Sequence, residues 1–256
     1  MIARQAQGGF MPRLHPRRSR REGAPATRGN AWRGSTYAGG MVVLPAPGPL
    51  DLAPVRALLL DMDGTLVDSH RSVERSWRIW AERYGVDPEA VVAVCHGATG
   101  DETMRRFRPD LDDETIAAEN AAHLAQETGD VSDVVAAAGA VDLLETCARF
   151  DVPWAVVTNA DTPLARARLG AAGFDPVHLV SVDDVEVGKP DPASYRLGAE
   201  RLGVPIEDCL VVEDSGTGLA AGRAAGARVA MLHRDDGDLR LNDLAELARM
   251  LEEARS

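Results

Sequence analysis

The sequence predicts a doubly wound α/β fold, a Rossmann-like parallel sheet with helices on both faces, interrupted by one all-helical insert. Short apolar runs alternate with helical stretches from Val55 onward, the signature of parallel strands joined by crossover helices. Glycines stand where those helices should stop. The segment between the first and second strands, residues 61–151, is far too long for a single crossover and must form a unit of its own.

The strands are expected at 55–60, 152–158, 178–182, 209–213 and 228–232, each a short apolar run bounded by turn-forming residues. Helices are expected at 140–150, 163–172, 192–202 and 218–225, with Gly173, Gly203 and Gly226 as C-terminal stops. In the insert, residues 72–85 carry Trp77, Trp80 and Tyr84 at helical spacing, and residues 112–128 form a second amphipathic stretch. Both tryptophans are read as core aromatics. A helical insert after the first strand would cover that strand's carboxyl end as a cap. The expected organisation is a leader at 1–50, a core at 51–69 and 137–256, and a cap at 70–136.

With 256 residues and 45% hydrophobic side chains, the chain can bury a full core. No apolar run approaches the length of a bilayer span, and no secretory h-region opens the sequence. The net charge of −12 is unevenly distributed: residues 1–40 hold eight arginines against the single acid Glu22, so that segment is +7 and the remainder −19. So acidic a body repels nucleic acid and anionic membranes. Residues 1–50, rich in Arg, Gly and Pro and without apolar periodicity, are expected to be a dispensable disordered leader, with Met41 as a possible true start. A transit peptide or a nucleic-acid arm is the functional alternative. Cys95, Cys147 and Cys209 are odd in number and widely spaced, which fits reduced packing thiols in a cytoplasmic protein.

Ligands of open parallel sheets sit beyond the carboxyl ends of the strands. Those ends carry polar groups here: Asp61 and Asp63 after the first strand, Thr158 and Asn159 after the second, Glu213, Asp214 and Ser215 after the fourth. Carboxylates converging on one edge need a cation, and an all-oxygen set with few protein ligands suits Mg²⁺. Gly64 and Thr65 supply a tight turn whose N–H groups can face an oxyanion. Lys189 is the only lysine among 28 basic residues, so a compact point charge is needed there rather than another guanidinium. Gly188 and Pro190 fix the loop that aims it.

Four runs, Asp61-Met62-Asp63-Gly64-Thr65, Val157-Thr158-Asn159, Gly188-Lys189-Pro190 and Val212-Glu213-Asp214-Ser215, resemble in order the motifs of the haloacid dehalogenase-like (HAD) hydrolase superfamily. The resemblance implies that Asp61 is the nucleophile and Asp63 the acid and base. It further implies that Thr158 and Asn159 meet the phosphoryl group and that Lys189 holds it against Asp61. Mg²⁺ would lie on Asp61, the Asp63 carbonyl and Asp214, with Glu213 either a metal partner or one shell further out. Asp63 selects phosphate esters, because the dehalogenase and phosphonatase branches lack an acid two places after the nucleophile.

The insertion point resembles the small α-helical (C1-type) caps. Within that group the runs at 73–85, 95–97 and 165–168 are similar to bacterial sugar- and polyol-phosphate phosphatases. His96 and Gly97 would then face substrate from the cap. Two places depart from the pattern: Asn159-Ala160 stands where a Ser-Gly pair is usual, and Ala137-Ala138-Gly139 replaces a Pro-Gly, which implies a looser hinge. The implied activity is Mg²⁺-dependent hydrolysis of small sugar or polyol phosphates through an aspartyl-phosphate, by a monomer whose partner is a phosphorylated metabolite. The alternatives are a β-phosphoglucomutase-like phosphomutase, a phosphoglycolate-type phosphatase and, remotely, an inactive binding protein. A mutase needs a second cationic phosphate site, and no Lys or Arg adjoins His96-Gly97.

Overall fold

The computed structural model describes residues 50–96 and 98–256. The expected leader, apart from Leu50, and Gly97 lie outside the described residues. Strand β1 (Ala57–Leu60) leads through a tight loop to the short β2 (Val67–Asp68). Four helices follow among the described residues: α1 (His70–Tyr84), α2 (Pro88–Cys95), α3 (Gly100–Phe107) and α4 (Asp113–Gly129). The two-residue β3 (Val135–Ala136) then pairs antiparallel with β2, so the insert leaves and re-enters through one small ribbon. Beyond it come α5 (Ala140–Arg149), β4 (Trp154–Val157), α6 (Thr162–Ala171), β5 (Leu179–Val180), α7 (Ala193–Leu202) and β6 (Cys209–Glu213). The chain closes with α8 (Gly216–Ala225), β7 (Arg228–Leu232), β8 (Leu239–Leu241) and α9 (Leu244–Arg255).

The main sheet has six strands among the described residues, in the order β5-β4-β1-β6-β7-β8 and parallel throughout. Successive side chains of a strand face opposite sides. Leu58, Leu60, Val156, Leu210 and Val212 accordingly pack on one face with Leu143 of α5 and Leu247 of α9. Ala57, Leu59, Ala155, Val157 and Val211 pack on the other with Tyr195 of α7 and Leu219 of α8. Burial on both faces is why these strands read as continuous apolar runs. The insert has its own small core, in which Trp77, Trp80, Val91, Met104 and Ile116 meet. The contacts of the described residues nonetheless cluster as one compact unit.

Two expected strands, 209–213 and 228–232, agree to the residue. Gly173, Gly203 and Gly226 take positive φ, as helix stops do. The expectation omits α2, α3, the β2–β3 ribbon, β8 and α9. The loose hinge is also revised, since the return from the insert is fastened on two sides. Ala137 N donates to Leu66 O at 3.0 Å and Leu244 N to Ala138 O at 3.1 Å. A Cβ on Gly139 would lie 2.0 Å from Ala245 N. Among the described residues, no helix is long and apolar enough to cross a membrane.

Candidate active site

Asp61 N donates to Val212 O at 3.0 Å, carrying the β1–β6 ladder one residue beyond the strand and fixing Asp61 at the sheet's carboxyl edge. The chain then reverses around Met62, whose carbonyl accepts from the N–H groups of Thr65, Leu66 and Val67 while its side chain fills the core. Gly64 makes the reversal possible: its φ is +83°, and a Cβ there would lie 2.1 Å from Asp214 Oδ2. The turn returns Asp63 to the same edge, where its Oδ1 accepts from Ser69 Oγ at 2.5 Å and its Oδ2 from Arg168 Nη1 at 2.9 Å.

Lys189 arrives from the loop before α7 with its ammonium buried. Its Nζ lies 2.5 Å from Asp61 Oδ1 and 2.7 Å from Glu213 Oε1. Glu213 is fully enclosed and accepts on both oxygens: Oε1 from Lys189 and Tyr195 Oη, Oε2 from Ser215 Oγ and the main-chain N–H groups of Asp214 and Ser215. Burial alone would push the Glu213 carboxyl up, but Lys189 and the hydroxyl donors outweigh it and the net shift is down. Lys189 shifts up, because the two carboxylates overcome its burial.

Asp61 and Asp214 behave oppositely. Burial, then the charge of Glu213, raises Asp61 well above the usual carboxylate range despite Lys189, and the same causes push Asp214 up to about 7. Oxygens of Asp61, Glu213 and Asp214 all lie within 4.8 Å of one another. Three acids in that space facing one buried ammonium fit a hard divalent cation, which all-oxygen donors suit. Glu213 accepts from five protein donors, Lys189 among them, and so anchors that ammonium.

A cleft of about 750 Å³, counted out to its open mouth, lies between these residues and the helical insert. Asp61, Asp63, Thr158, Asn159, Lys189 and Asp214 line it from the sheet, and His96 from the insert. The structure thus brings together six of the sheet residues singled out in the sequence. Gly64 and Thr65 do not reach the cleft; they shape the turn, and Thr65 is wholly buried. Asn159 lines it, yet its amide is engaged elsewhere: Oδ1 accepts from Lys189 N at 2.7 Å and Nδ2 donates to Lys189 O at 3.0 Å. Asn159 thus also clamps the Lys189 loop at the edge of the cleft. His96 packs against the His70 ring at 5.0 Å, and burial lowers its pKa.

Ser69, Tyr195 and Arg168 have site contacts that the sequence reading did not assign. For Arg168 a signal existed, since Leu164, Ala165, Arg168 and Leu169 form the buried face of α6 and an arginine in an apolar stripe calls for a partner.

Residues 55–226 match the family model for haloacid dehalogenase-like hydrolases. The chain is 38% identical to hexitol phosphatase A of Escherichia coli over 199 residues, covering 77% of this chain and 92% of that one. It is 32% identical to the E. coli fructose-1-phosphate phosphatase YqaB, covering 66% of this chain and 92% of the relative. Among solved structures, a hydrolase from Pseudomonas syringae superposes with a TM-score of 0.69 at 26% identity, over 78% of this chain and 100% of that one. Sheet order, strand-end carboxylates and these matches agree, and the chain belongs to the haloacid dehalogenase-like hydrolase family.

Proposed function

We propose that this protein is a Mg²⁺-dependent phosphatase that hydrolyses small sugar or polyol phosphate monoesters through an aspartyl-phosphate on Asp61. The observation that carries the reading is the arrangement of Asp61 and Asp63 on one cleft, with the Lys189 ammonium 2.5 Å from Asp61. The substrate class is supported by the similarity to a hexitol phosphatase and a fructose-1-phosphate phosphatase.

The Asp61 carboxylate attacks phosphorus, forming an O–P bond as the ester P–O bond breaks. Protonated Asp63 gives its proton to the departing alkoxide, and the resulting carboxylate then takes one from water. That water attacks the aspartyl-phosphate, releasing phosphate and restoring Asp61. Lys189 and Thr158 hold the phosphoryl oxygens, and Glu213 and Asn159 keep Lys189 in place. The carboxylates of Asp61 and Asp214 and the main-chain carbonyl of Asp63 would hold Mg²⁺, which when bound neutralises charge on the transferring phosphoryl group. The helices of residues 70–136 serve as the cap that screens the cleft from solvent. The buried thiols of Cys95, Cys147 and Cys209 suit a cytoplasmic enzyme.

The test is phosphate release from a panel of sugar, polyol and glycolate phosphates with and without Mg²⁺, comparing wild type with Asp61→Asn. Mg²⁺-dependent release by wild type and none by the variant is expected. Equal inactivity of both across the panel would refute the reading, and an isomerised sugar phosphate without free phosphate would indicate a mutase.

A further inference from the structure

We propose that His123 and Glu127 of α4 and Arg168 of α6 form a subsite for the hydroxyl groups of an uncharged, polyhydroxylated leaving group. The inference rests on the phosphatase reading above and specifies what that reading leaves open, the part of substrate beyond the phosphate.

The three side chains are 5%, 6% and 3% exposed, yet four of their polar atoms lack a hydrogen-bond partner: His123 Nε2, Glu127 Oε1, and Arg168 Nε and Nη2. Arg168 Nη2 comes within 3.1 Å of Glu127 Oε1, an ion-pair distance without hydrogen-bond alignment, and His123 Nε2 stands 3.7 Å from the same oxygen. A buried polar atom left without a partner forfeits the hydration it had in the unfolded chain. Arg168 Nη2 and Glu127 Oε1 offset each other as an ion pair, but His123 Nε2 and Arg168 Nε are left without a hydrogen bond in a wall that packing alone does not explain, and all three residues line the cleft.

Their position selects the part of the ligand they would meet. Arg168 Nη1 donates to Asp63 Oδ2 at 2.9 Å, so the group begins beside the residue that protonates the leaving oxygen. The phosphoryl end belongs to Asp61, Thr158 and Lys189, and the trio faces what is attached to it.

The chemistry selects the ligand class. Ser76 Oγ accepts from Gln126 Nε2 at 3.3 Å and lies 3.5 Å from His123 Nδ1, so the other ring nitrogen, Nε2, is the one left for a ligand hydroxyl. The Trp77 ring, 4.1 Å from that imidazole, fixes its plane. The wall then offers a ring nitrogen at His123, which a hydroxyl can meet in either tautomer, an acceptor at Glu127 and donors at Arg168. Alternating donors and acceptors match neighbouring hydroxyls, each of which gives and takes a hydrogen bond. A second phosphate or a carboxylate is not matched, because Arg168 already donates to Asp63 and stands 3.1 Å from Glu127, so an added anion would face two acids as well as the guanidinium.

The test compares kcat and KM for sorbitol 6-phosphate with those for p-nitrophenyl phosphate, which has no aliphatic hydroxyls, in wild type, Glu127→Gln and His123→Leu. The ratio of the two kcat/KM values is expected to fall about 10- to 100-fold in each variant, mainly through KM for the polyol phosphate. An unchanged ratio would overturn the subsite, whether both activities survive or both fall together. A second measurement needs no variant: wild type should prefer glycerol 1-phosphate to propyl phosphate by about tenfold or more in kcat/KM. Equal values would mean the trio holds only water, and a preference for glycolate phosphate or a sugar bisphosphate would also overturn the inference. If wild type releases phosphate from none of these compounds, the phosphatase reading fails instead.

Discussion

The side-chain amide of Asn159 grips the main chain of Lys189 from both sides, its Oδ1 accepting from Lys189 N at 2.7 Å and its Nδ2 donating to Lys189 O at 3.0 Å. The loop has little other freedom, because a Cβ on Gly188 would lie 2.6 Å from the same Oδ1. Asn159→Ala removes both bonds and lets the ammonium drift from Asp61. A displacement of that kind costs a nucleophile its alignment, so kcat on p-nitrophenyl phosphate should fall about 10- to 100-fold with little change in thermal midpoint. Full retention of kcat would show that Lys189 is aimed by something else.

Gly64 is constrained twice, by its φ of +83° and by Asp214 Oδ2 lying 2.1 Å from any added Cβ. Gly64→Ala must therefore strain the turn and displace Asp214 together. The expected result is a loss of about 1–3 kcal/mol in urea unfolding, with activity falling by at least about 100-fold. Adding Mg²⁺ to high concentration should recover part of the activity if displacement of Asp214 is the main fault.

Glu213 gathers five donors and carries a negative charge that Lys189 answers in the interior. Glu213→Gln keeps the shape but turns one acceptor into an NH₂ facing either Lys189 and Tyr195 or the Ser215 N–H and hydroxyl. Breaking one side of a buried pair costs about 3–5 kcal/mol, so the variant should unfold at markedly lower denaturant. A stability within 1 kcal/mol of wild type, on the order of an ordinary surface substitution, would refute the anchoring role.

The sheet was legible where burial on both faces leaves a continuous apolar run, as at Cys209–Glu213 and Arg228–Leu232. Strands β2 and β3, two residues each, have no period to read. Helix α9 carried a readable signal in Leu244, Leu247, Ala248 and Leu251 behind the N-cap Asp243. Asp61, Asp63 and Asp214 were legible because each follows a strand end, and Lys189 because it is the only lysine of the sequence. The partners of Asn159 and Glu213 were not, since they depend on which strand ends lie side by side. The order β4-β1-β6 puts the Lys189 loop between Asn159 and Glu213, and no local spacing encodes that. His123 and Glu127 stood in the buried stripe of α4 with Ile116, where charged or titratable side chains are the anomaly to pursue.

His123 and Glu127 also predict opposed effects of pH on stability. Burial, against the pull of Arg168, pushes the Glu127 carboxyl from 4.5 up to about 7, with Asp63 and Asp161 adding to the rise. The folded protein then keeps a proton that the unfolded chain has lost, so this group weakens folding as pH rises from 4.5 toward 7. Burial, Arg168 and Arg83 lower His123 from 6.5 to about 4. The unfolded chain takes up a proton that the folded ring refuses, so this group weakens folding as pH falls from 6.5 toward 4. Each effect is on the order of 3 kcal/mol in full, and in the shared window between 4.5 and 6.5 they cancel. Removing one should expose the other. Relative to wild type, Glu127→Gln should gain stability between pH 5 and 6.5 by roughly 2 kcal/mol, and His123→Gln should lose a similar amount. Urea unfolding at the two pH values measures both differences, and slopes of the same sign in the two variants would show that the pair is not titrating as its burial requires.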